Sequence, residues 1–266
     1  MKNKFKMLSI LTVIFFNTHA FAEGLADKKI NGERLYDLFK KQGVPEQALQ
    51  RSLEFMDTNG GKTIKVKTKV RPKEGDAYLT DRSIDIKSDY IAIIDFSEPS
   101  DSRRLLILDL QKGTVSKHFV AHGKGSGVRI ATKFSNLDGS KMSSLGFYLG
   151  GSTYFGGHGE SLNLYGLEKS NDQAAARDIV VHAANYVSPE FVASSGRLGR
   201  SWGCPAVAPG IIKKMITLFK DGGVIYAYQK DLMSKIQDTP TLQEIHDQPD
   251  EADVDLPNEE EDFQKK

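Results

Sequence analysis

The sequence predicts a mainly β protein with a few helices (α+β), in which a sandwich or barrel-like core of strands follows an N-terminal helical hairpin. Three observations lead to this fold class. Short runs with strand periodicity recur from Thr63 onward, helical periodicity is confined to two stretches, and many strands with few helices argue against alternating βαβ units. The chain of 266 residues is long enough for one large domain beside its terminal segments.

Residues 1–22 have the pattern of an export signal. Lys2, Lys4 and Lys6 precede a short apolar run, and Ala20-Phe21-Ala22 supplies the small-x-small pattern of a cleavage site. The apolar run is shorter than the ~20 residues that a membrane-spanning helix needs. We therefore expect a periplasmic protein with no stable membrane anchor once the signal is removed.

Residues 23–62 predict two short helices. Apolar residues recur at helical spacing up to Gly43, Pro45 opens a second helix, and the apolar stripe continues to Met56 before two glycines stop it. We expect this segment to form a helical hairpin that packs on the main domain.

We expect residues 63–232 to form the catalytic or binding domain. At the start of this segment the spacing of apolar residues changes from a helical period to the two-residue period of a strand. Ile64, Val66 and Val70 alternate with lysines, as in a strand with one face in water. Further strands are predicted at residues 90–96, 105–110, 115–121, 147–149, 162–167, 178–182 and 224–228, with a hairpin turn at 111–113 and one helix at 210–220.

Residues 233–266 end in a strongly acidic stretch, from Glu244 to Asp262, without helical or strand periodicity. We expect a disordered acidic tail. The remaining body has a moderate excess of basic residues, which suits an anionic partner such as cell-wall polymer. Nucleic acid is not an expected partner.

Cys204 is the only cysteine of the chain, and it lies between Gly203 and Pro205. One cysteine cannot form an internal disulfide, and an unpaired thiol in an oxidising compartment is open to damage. A lone cysteine downstream of an export signal therefore indicates a reactive group rather than a structural one.

A catalytic cysteine needs a proton acceptor, because a thiol with a pKa of about 8.5 is only slightly ionised at neutral pH. His182 follows the apolar run 179–181, and strand ends are places where a rigid scaffold presents side chains. A loop between His182 and Cys204 can bring the two together. The alternative is a strand-end histidine held by a nearby carbonyl.

Two other histidines lie in glycine-rich runs. His122 begins His-Gly-Lys-Gly-Ser-Gly, which lacks the spacing of a phosphate-binding loop and is not followed by a helical pattern. His158 lies in Gly-Gly-His-Gly, where a place near the cleft and a structural role are equally expected. We expect no metal site and no cofactor.

Two segments together carry a resemblance to a known family. Residues 182–187 read His-Ala-Ala-Asn-Tyr-Val, and residues 199–207 read Gly-Arg-Ser-Trp-Gly-Cys-Pro-Ala-Val. This pair resembles the active-site signature of L,D-transpeptidases with a YkuD-type domain, in the branch described as a murein L,D-transpeptidase catalytic domain family. The resemblance covers about residues 90–228 and implies a YkuD-like sandwich or barrel-like catalytic domain.

The resemblance implies a cysteine acyltransferase that acts on peptidoglycan stem peptides. Cys204 would attack the L-centre carbonyl of the third stem residue and release D-alanine, while His182 would move the proton. The backbone carbonyl of Ala183 would orient the imidazole, and N–H groups around Gly203 and Cys204 would hold the oxyanion. Ser201 and His158 would complete the substrate-binding surroundings.

Two positions depart from the family pattern. Trp202 stands where the family usually has a second histidine, and Ala206 replaces an arginine often found there. Arg200, or with less support Arg197, would supply a guanidinium for a substrate carboxylate, with solvated loop arginines as the alternative. Trp202 is expected either to wall the substrate groove or simply to pack.

The sequence is consistent with three functions. An L,D-transpeptidase would pass the acyl group to an amine, an L,D-carboxypeptidase would pass it to water, and a non-catalytic wall-binding module would carry an inert cysteine. The sequence leaves the acceptor and the oligomeric state open.

Overall fold

The computed structural model describes residues 24–232. The predicted export signal and the predicted acidic tail lie outside these residues. Within residues 24–232, no helix combines the length and the apolar character that a membrane crossing requires.

The N-terminal helical hairpin is present. Two strands of two residues each, β1 (Lys29–Ile30) and β2 (Glu33–Arg34), lead into helix α1 (Leu35–Lys41), which is followed by helix α2 (Glu46–Asn59). Both helices bury an apolar stripe, as their spacing predicts, and leave their other faces in water. The hairpin is therefore held by packing on the rest of the molecule.

An antiparallel hairpin stands apart from the main sheet. It consists of β3 (Thr63–Val70) and β4 (Tyr78–Asp85), paired over their whole length. The sequence pattern predicts β3 but misses β4, because only Ile84 of β4 is buried and the strand shows no apolar alternation.

A sheet of nine strands forms the body of the protein, and the mainly β prediction is confirmed. Its strands in chain order are β5 (Tyr90–Asp95), β6 (Leu105–Asp109), β7 (Thr114–His118), β8 (Val120–Ala121), β9 (Gly146–Gly156), β10 (Gly159–Gly166), β11 (Val180–Ala183), β12 (Ala206–Val207) and β13 (Val224–Tyr228).

The sheet curls until it is nearly closed. The strand order is β7-β6-β5-β13-β9-β10-β11-β12-β8, so the two edge strands are β7 and β8. Only Phe119 separates these strands in the sequence, and the two edges therefore meet. The single strand predicted at residues 115–121 is in fact two strands at opposite edges, which local periodicity cannot reveal.

The sheet separates two apolar cores. On one face, Leu53 of α2 packs in a cluster with Leu149 and Tyr226. On the other, Phe219 of helix α4 (Pro209–Phe219) packs in a cluster with Ile225. Neighbouring residues of β13 thus point to opposite cores, as strand geometry requires.

Helix α3 (Pro189–Ser195) was not predicted, because it buries none of its residues and so has no apolar stripe. Its end signals are nevertheless present in the sequence. The Ser188 hydroxyl accepts a hydrogen bond from the N–H of Phe191 at 3.1 Å, and Gly196 ends the helix with φ of 68°. The helix lies between His182 and Cys204 in the chain.

We expect Leu53→Ala to lower the free energy of unfolding by about 2–5 kcal/mol, because Leu53 is 1% exposed in the core shared by the helical hairpin and the sheet. Urea unfolding followed by circular dichroism should show one transition shifted to lower urea. Leu79→Ala is the matched control, since Leu79 is 47% exposed, and it should change stability by less than about 0.5 kcal/mol. Separate transitions for the helical segment and the sheet would contradict a shared core.

Candidate active site

The pairing of β11 with β12 brings the two predicted motifs together. The strands run parallel, with His182 opposite Ala206 in register. The N–H of His182 also donates to the carbonyl of Pro205 at 3.3 Å. Cys204 immediately precedes Pro205, so the backbone next to the cysteine lies directly against the strand that carries the histidine.

His182 is held in one tautomer. Its side chain is buried, and Nδ1 lies 3.1 Å from the carbonyl oxygen of Ala183. A carbonyl can only accept, so Nδ1 carries the proton and Nε2 presents a lone pair. Burial first, and then the charge of His158, lower the pKa of His182 to about 4. The imidazole is therefore neutral at neutral pH.

His158 stacks on His182. It lies in the tight turn between β9 and β10, and the two ring centroids are 4.2 Å apart with 30° between the planes. Burial lowers the pKa of His158 as well. His158 therefore covers one face of the His182 ring, and its part in binding substrate stays a prediction.

The sulfur of Cys204 contacts the loop that leads into β11. Sγ lies 3.7 Å from the carbonyl oxygen of Asp178, a long contact even for a thiol donor. Asp178 has a φ of 57°, and its carboxylate is bound by Lys69 of β3 at 2.9 Å and by Arg71, which follows the strand. The hairpin of β3 and β4 thus fixes the residue against which the thiol rests.

Gly203 is required in the cysteine turn. Its φ is 124°, and a Cβ at this position would lie 2.8 Å from the carbonyl oxygen of Met142. A side chain would therefore be both strained and too close to the backbone. Glycine is what allows the chain to place Cys204 beside this loop.

Two buried serines hold the turn. Ser201 Oγ donates to the carbonyl of Cys204 at 2.5 Å and accepts from the N–H of Gly203 at 3.2 Å. Ser143 Oγ donates to the carbonyl of Gly203 at 3.1 Å and accepts from the N–H of Gly123 at 3.0 Å. The Ser201 hydroxyl is buried and engaged within the turn, and a part for Ser201 in binding substrate stays a prediction.

Arg200 and Arg197 are not the solvated loop arginines of the alternative reading. They are 8% and 7% exposed, respectively. Arg200 donates to the carbonyl of Gly127 at 3.3 Å, and Arg197 donates to the carbonyl of Leu198 at 2.7 Å. Both guanidinium groups therefore hold loop backbone behind the cysteine turn, and a role in binding a carboxylate stays a prediction.

His122 is a buried structural histidine in the same support. Its Nε2 lies 3.0 Å from the carbonyl of Gly127, and its Nδ1 lies 2.7 Å from Nη2 of Arg104. Nε2 therefore carries the proton and Nδ1 accepts from the guanidinium. Burial first, and the charge of Arg104 next, lower the pKa of His122 to about 3. Its carbonyl accepts from the N–H of Ser201 at 3.0 Å, which connects it to the cysteine turn.

Metal ligation finds no support in the described residues. No group of three or more His, Cys, Asp and Glu side chains within residues 24–232 is arranged to hold an ion. His118 and His122 are four positions apart, yet they do not converge. His118 contacts the Ser116 hydroxyl at 3.2 Å, whereas His122 is buried with Arg104.

Trp202 lies on the surface beside the cysteine. It is 56% exposed, and Nζ of Lys141 lies 4.9 Å from its ring centroid. Trp202 is therefore not part of a buried core, and its role as a wall of the substrate groove stays a prediction. The indole instead offers an aromatic surface with a cation over it.

Arg177 borders the cysteine turn and is not among the residues that the sequence predicts for the site. Its Nη2 donates to the carbonyl of Met142 at 2.7 Å, and Nη1 donates to the carbonyl of Ser135 at 2.9 Å. Nη2 also lies 3.2 Å from the position that a Cβ on Gly203 would occupy. Arg177 belongs to neither motif, and its only sequence signal is its place shortly before the strand that carries His182.

Comparison with known proteins gives one family and several structural neighbours. Residues 63–228 match the family model described as L,D-transpeptidase catalytic domain. No curated protein matches the chain.

Three solved structures that resemble the chain are distant from it in sequence. An L,D-transpeptidase from Mycobacterium smegmatis is 12% identical, with a TM-score of 0.33, over 64% of this chain and 68% of that one. An LD transpeptidase in complex with imipenem is 11% identical, with a TM-score of 0.33, over 63% and 82%. An L,D-transpeptidase from Xylanimonas cellulosilytica is 12% identical, with a TM-score of 0.31, over 70% of each chain.

We expect His122 to make the protein less stable in acid. Below about pH 6.5, His122 binds a proton in the unfolded protein, whereas in the folded protein it stays neutral down to about pH 3. Stability therefore falls by about 1.4 kcal/mol per pH unit from this residue alone. His122→Gln keeps a donor for Gly127 but does not titrate, so its urea midpoint should depend less on pH between pH 6 and 4.5.

His118→Gln is the comparison variant for this measurement, because His118 is only partly buried. It should flatten the pH dependence less than His122→Gln does. Equal pH dependence in the wild-type protein and His122→Gln would contradict the assignment of His122 as a buried neutral group.

Proposed function

The chain belongs to the L,D-transpeptidase catalytic domain family, and from this premise we propose that it is an exported cysteine acyltransferase that acts on peptidoglycan stem peptides. The observation that carries the proposal is the place of Cys204, next to a strand whose histidine is neutral and fixed in one tautomer by Ala183. The predicted export signal at residues 1–22 would deliver the protein to the periplasm, where its substrate lies.

Acylation needs one proton transfer and one attack. Nε2 of His182 takes the proton of the Cys204 thiol, and Sγ attacks the L-centre carbonyl of the third stem residue. The tetrahedral intermediate collapses to a thioester as the bond to D-alanine breaks. The departing amine takes the proton back from His182, which leaves the imidazole neutral.

We assign the oxyanion to the backbone N–H of Cys204. The N–H of Gly203, which the sequence analysis also considered, already donates to Ser201 Oγ at 3.2 Å. The same hydrogen bond keeps the turn in the conformation that aims the Cys204 N–H. A donor fixed in advance stabilises developing charge without reorganisation.

The thioester is released by an acceptor that enters beside the exposed Trp202. An amine acceptor gives a cross-linked or exchanged product, as in a transpeptidase. Water gives a free tripeptide, as in a carboxypeptidase. The two activities share every step up to the thioester, so the product alone distinguishes them.

We expect Cys204→Ala to abolish release of D-alanine from a disaccharide tetrapeptide, because the nucleophile is lost. Liquid chromatography with mass spectrometry measures the D-alanine, the tripeptide and any dimer. Arg34→Met, which changes an exposed arginine paired with Asp37 in the N-terminal segment, should retain activity. Full turnover by Cys204→Ala would sink the proposal.

A carbapenem provides a second test that does not depend on finding the acceptor. Its strained carbonyl should acylate an activated thiol, so the intact wild-type protein should gain the mass of one carbapenem and Cys204→Ala should gain none. No adduct on the wild-type protein would support the non-catalytic wall-binding module instead.

The pH profile should report His182. Because its pKa is lowered to about 4, kcat/KM should fall on the acid side near pH 4 rather than near pH 6.5. His158→Gln removes the ring that buries His182 and whose charge lowers the pKa of His182. The pKa of His182 should therefore rise, and the acid limb of the profile should move to higher pH. His118→Gln should leave the limb in place, and an unmoved limb in His158→Gln would contradict the role of the stack.

A further inference from the structure

Arg177 has an unusual position for a cation. It lies on the segment that leads into β11 and is half-buried behind the cysteine turn. All four hydrogen bonds of its two Nη atoms go to neutral acceptors. These are the carbonyls of Ser135 (2.9 Å) and Met142 (2.7 Å) and the hydroxyls of Ser144 (3.3 Å) and Ser140 (3.5 Å).

No carboxylate lies within ion-pair distance of Arg177 among residues 24–232. Asp138 acts on it only through space, and burial lowers the pKa of the guanidinium. A partly desolvated charge without a counter-ion is costly. Two loop carbonyls nevertheless hold this guanidinium in place. A charge kept at this cost indicates an interaction with a negatively charged group.

The sulfur of Cys204 is the candidate for this partner. Nη2 of Arg177 lies 3.2 Å from the site of a Cβ on Gly203, the residue before the cysteine. The next residue after Arg177 is Asp178, whose carbonyl contacts Sγ. The guanidinium and the thiol therefore face the same turn, and a charge on Cys204 interacts favourably with Arg177.

Proton transfer to His182 needs such a charge. A thiol has an ordinary pKa of about 8.5, whereas the pKa of His182 is about 4, so the imidazole alone is a weak base for this proton. The contact of Sγ with the Asp178 carbonyl also favours the protonated thiol. A fixed cation beside the sulfur offsets both effects.

The other titratable groups around the sulfur do not supply this charge. Burial raises the pKa of Tyr148 to about 12 and raises that of Tyr154, so both phenols are neutral. The Asp178 carboxylate is bound by Lys69 and Arg71. Other titratable or charged groups in the site are the stacked rings of His158 and His182, both with lowered pKa, and Lys141, which lies over the Trp202 ring.

We propose that Arg177 is the counter-ion of the Cys204 thiolate. In this assignment, the thiol proton moves to Nε2 of His182 and the negative charge that remains on Sγ faces the guanidinium. Arg177 itself gains and loses no proton. The inference deepens the function proposed above and rests on Cys204 being its nucleophile.

The test measures thiol acidity without turnover. Because the chain has one cysteine, the rate of alkylation by iodoacetamide between pH 5 and 10 reports Cys204 alone. Wild type, Arg177→Met and Arg177→Lys are compared with Arg34→Met, a control that removes an exposed arginine paired with Asp37 in the N-terminal segment. Thermal melts establish that each variant is folded.

The wild-type thiol should ionise with a midpoint below 8.5. Arg177→Met should raise the midpoint by about one unit, so alkylation at pH 6.5 should slow by about tenfold. Arg177→Lys keeps the charge and should restore most of this loss, whereas Arg34→Met should match wild type.

Three results would overturn the inference. The first is a wild-type midpoint at or above 8.5, a result that does not depend on whether any variant folds. The second is an unchanged midpoint in Arg177→Met. The third is an equal loss in Arg177→Lys and Arg177→Met, which would assign Arg177 to holding the loop by its hydrogen bonds. If the midpoints shift as expected while the wild type releases no D-alanine, the counter-ion stands and the proposed function fails.

Discussion

The parallel pairing of β11 with β12 is the contact on which the site depends. These are short strands, yet they place His182 opposite Ala206 and tie the histidine N–H to Pro205. β12 also pairs with β8, which closes the far edge of the sheet. The curling of the sheet and the approach of the two motifs are therefore one event, because both require β12 to lie between β11 and β8.

Desolvation determines the charge state of the site. Among residues 24–232, His182 and His122 are the buried histidines. Each is satisfied by a backbone carbonyl on one nitrogen, and burial is the first cause of the lowered pKa in both. One neutral ring lies beside the cysteine, and the other supports its turn from behind. Arginines supply the positive charge in this region, since a guanidinium stays charged where an imidazole does not.

The cysteine turn is held from several directions. The Ser201 hydroxyl donates to the carbonyl of Cys204 within the turn, and the Ser143 hydroxyl donates to the carbonyl of Gly203. The backbone carbonyl of His122 accepts a hydrogen bond from the N–H of Ser201. The hairpin of β3 and β4 contributes by binding Asp178. Several independent contacts of this kind are the usual way in which a positive φ, as at Gly203, is kept in place.

Local patterns in the sequence determined much of this protein. Strand and helix periodicity located most elements, because each buries one face and the period records which residues those are. The glycine, cysteine and histidine motifs carried the resemblance to the family, and that resemblance in turn implied Ala183 as the partner of the imidazole. Patterns failed where an element buries little, as in β4 and α3, and where one apolar run serves two edges, as in β7 and β8. Only the tertiary structure decided that Ser201 faces inward, that Trp202 faces solvent and that Arg177 stands beside the cysteine turn. These facts depend on contacts between residues far apart in the chain, and no local period encodes such contacts.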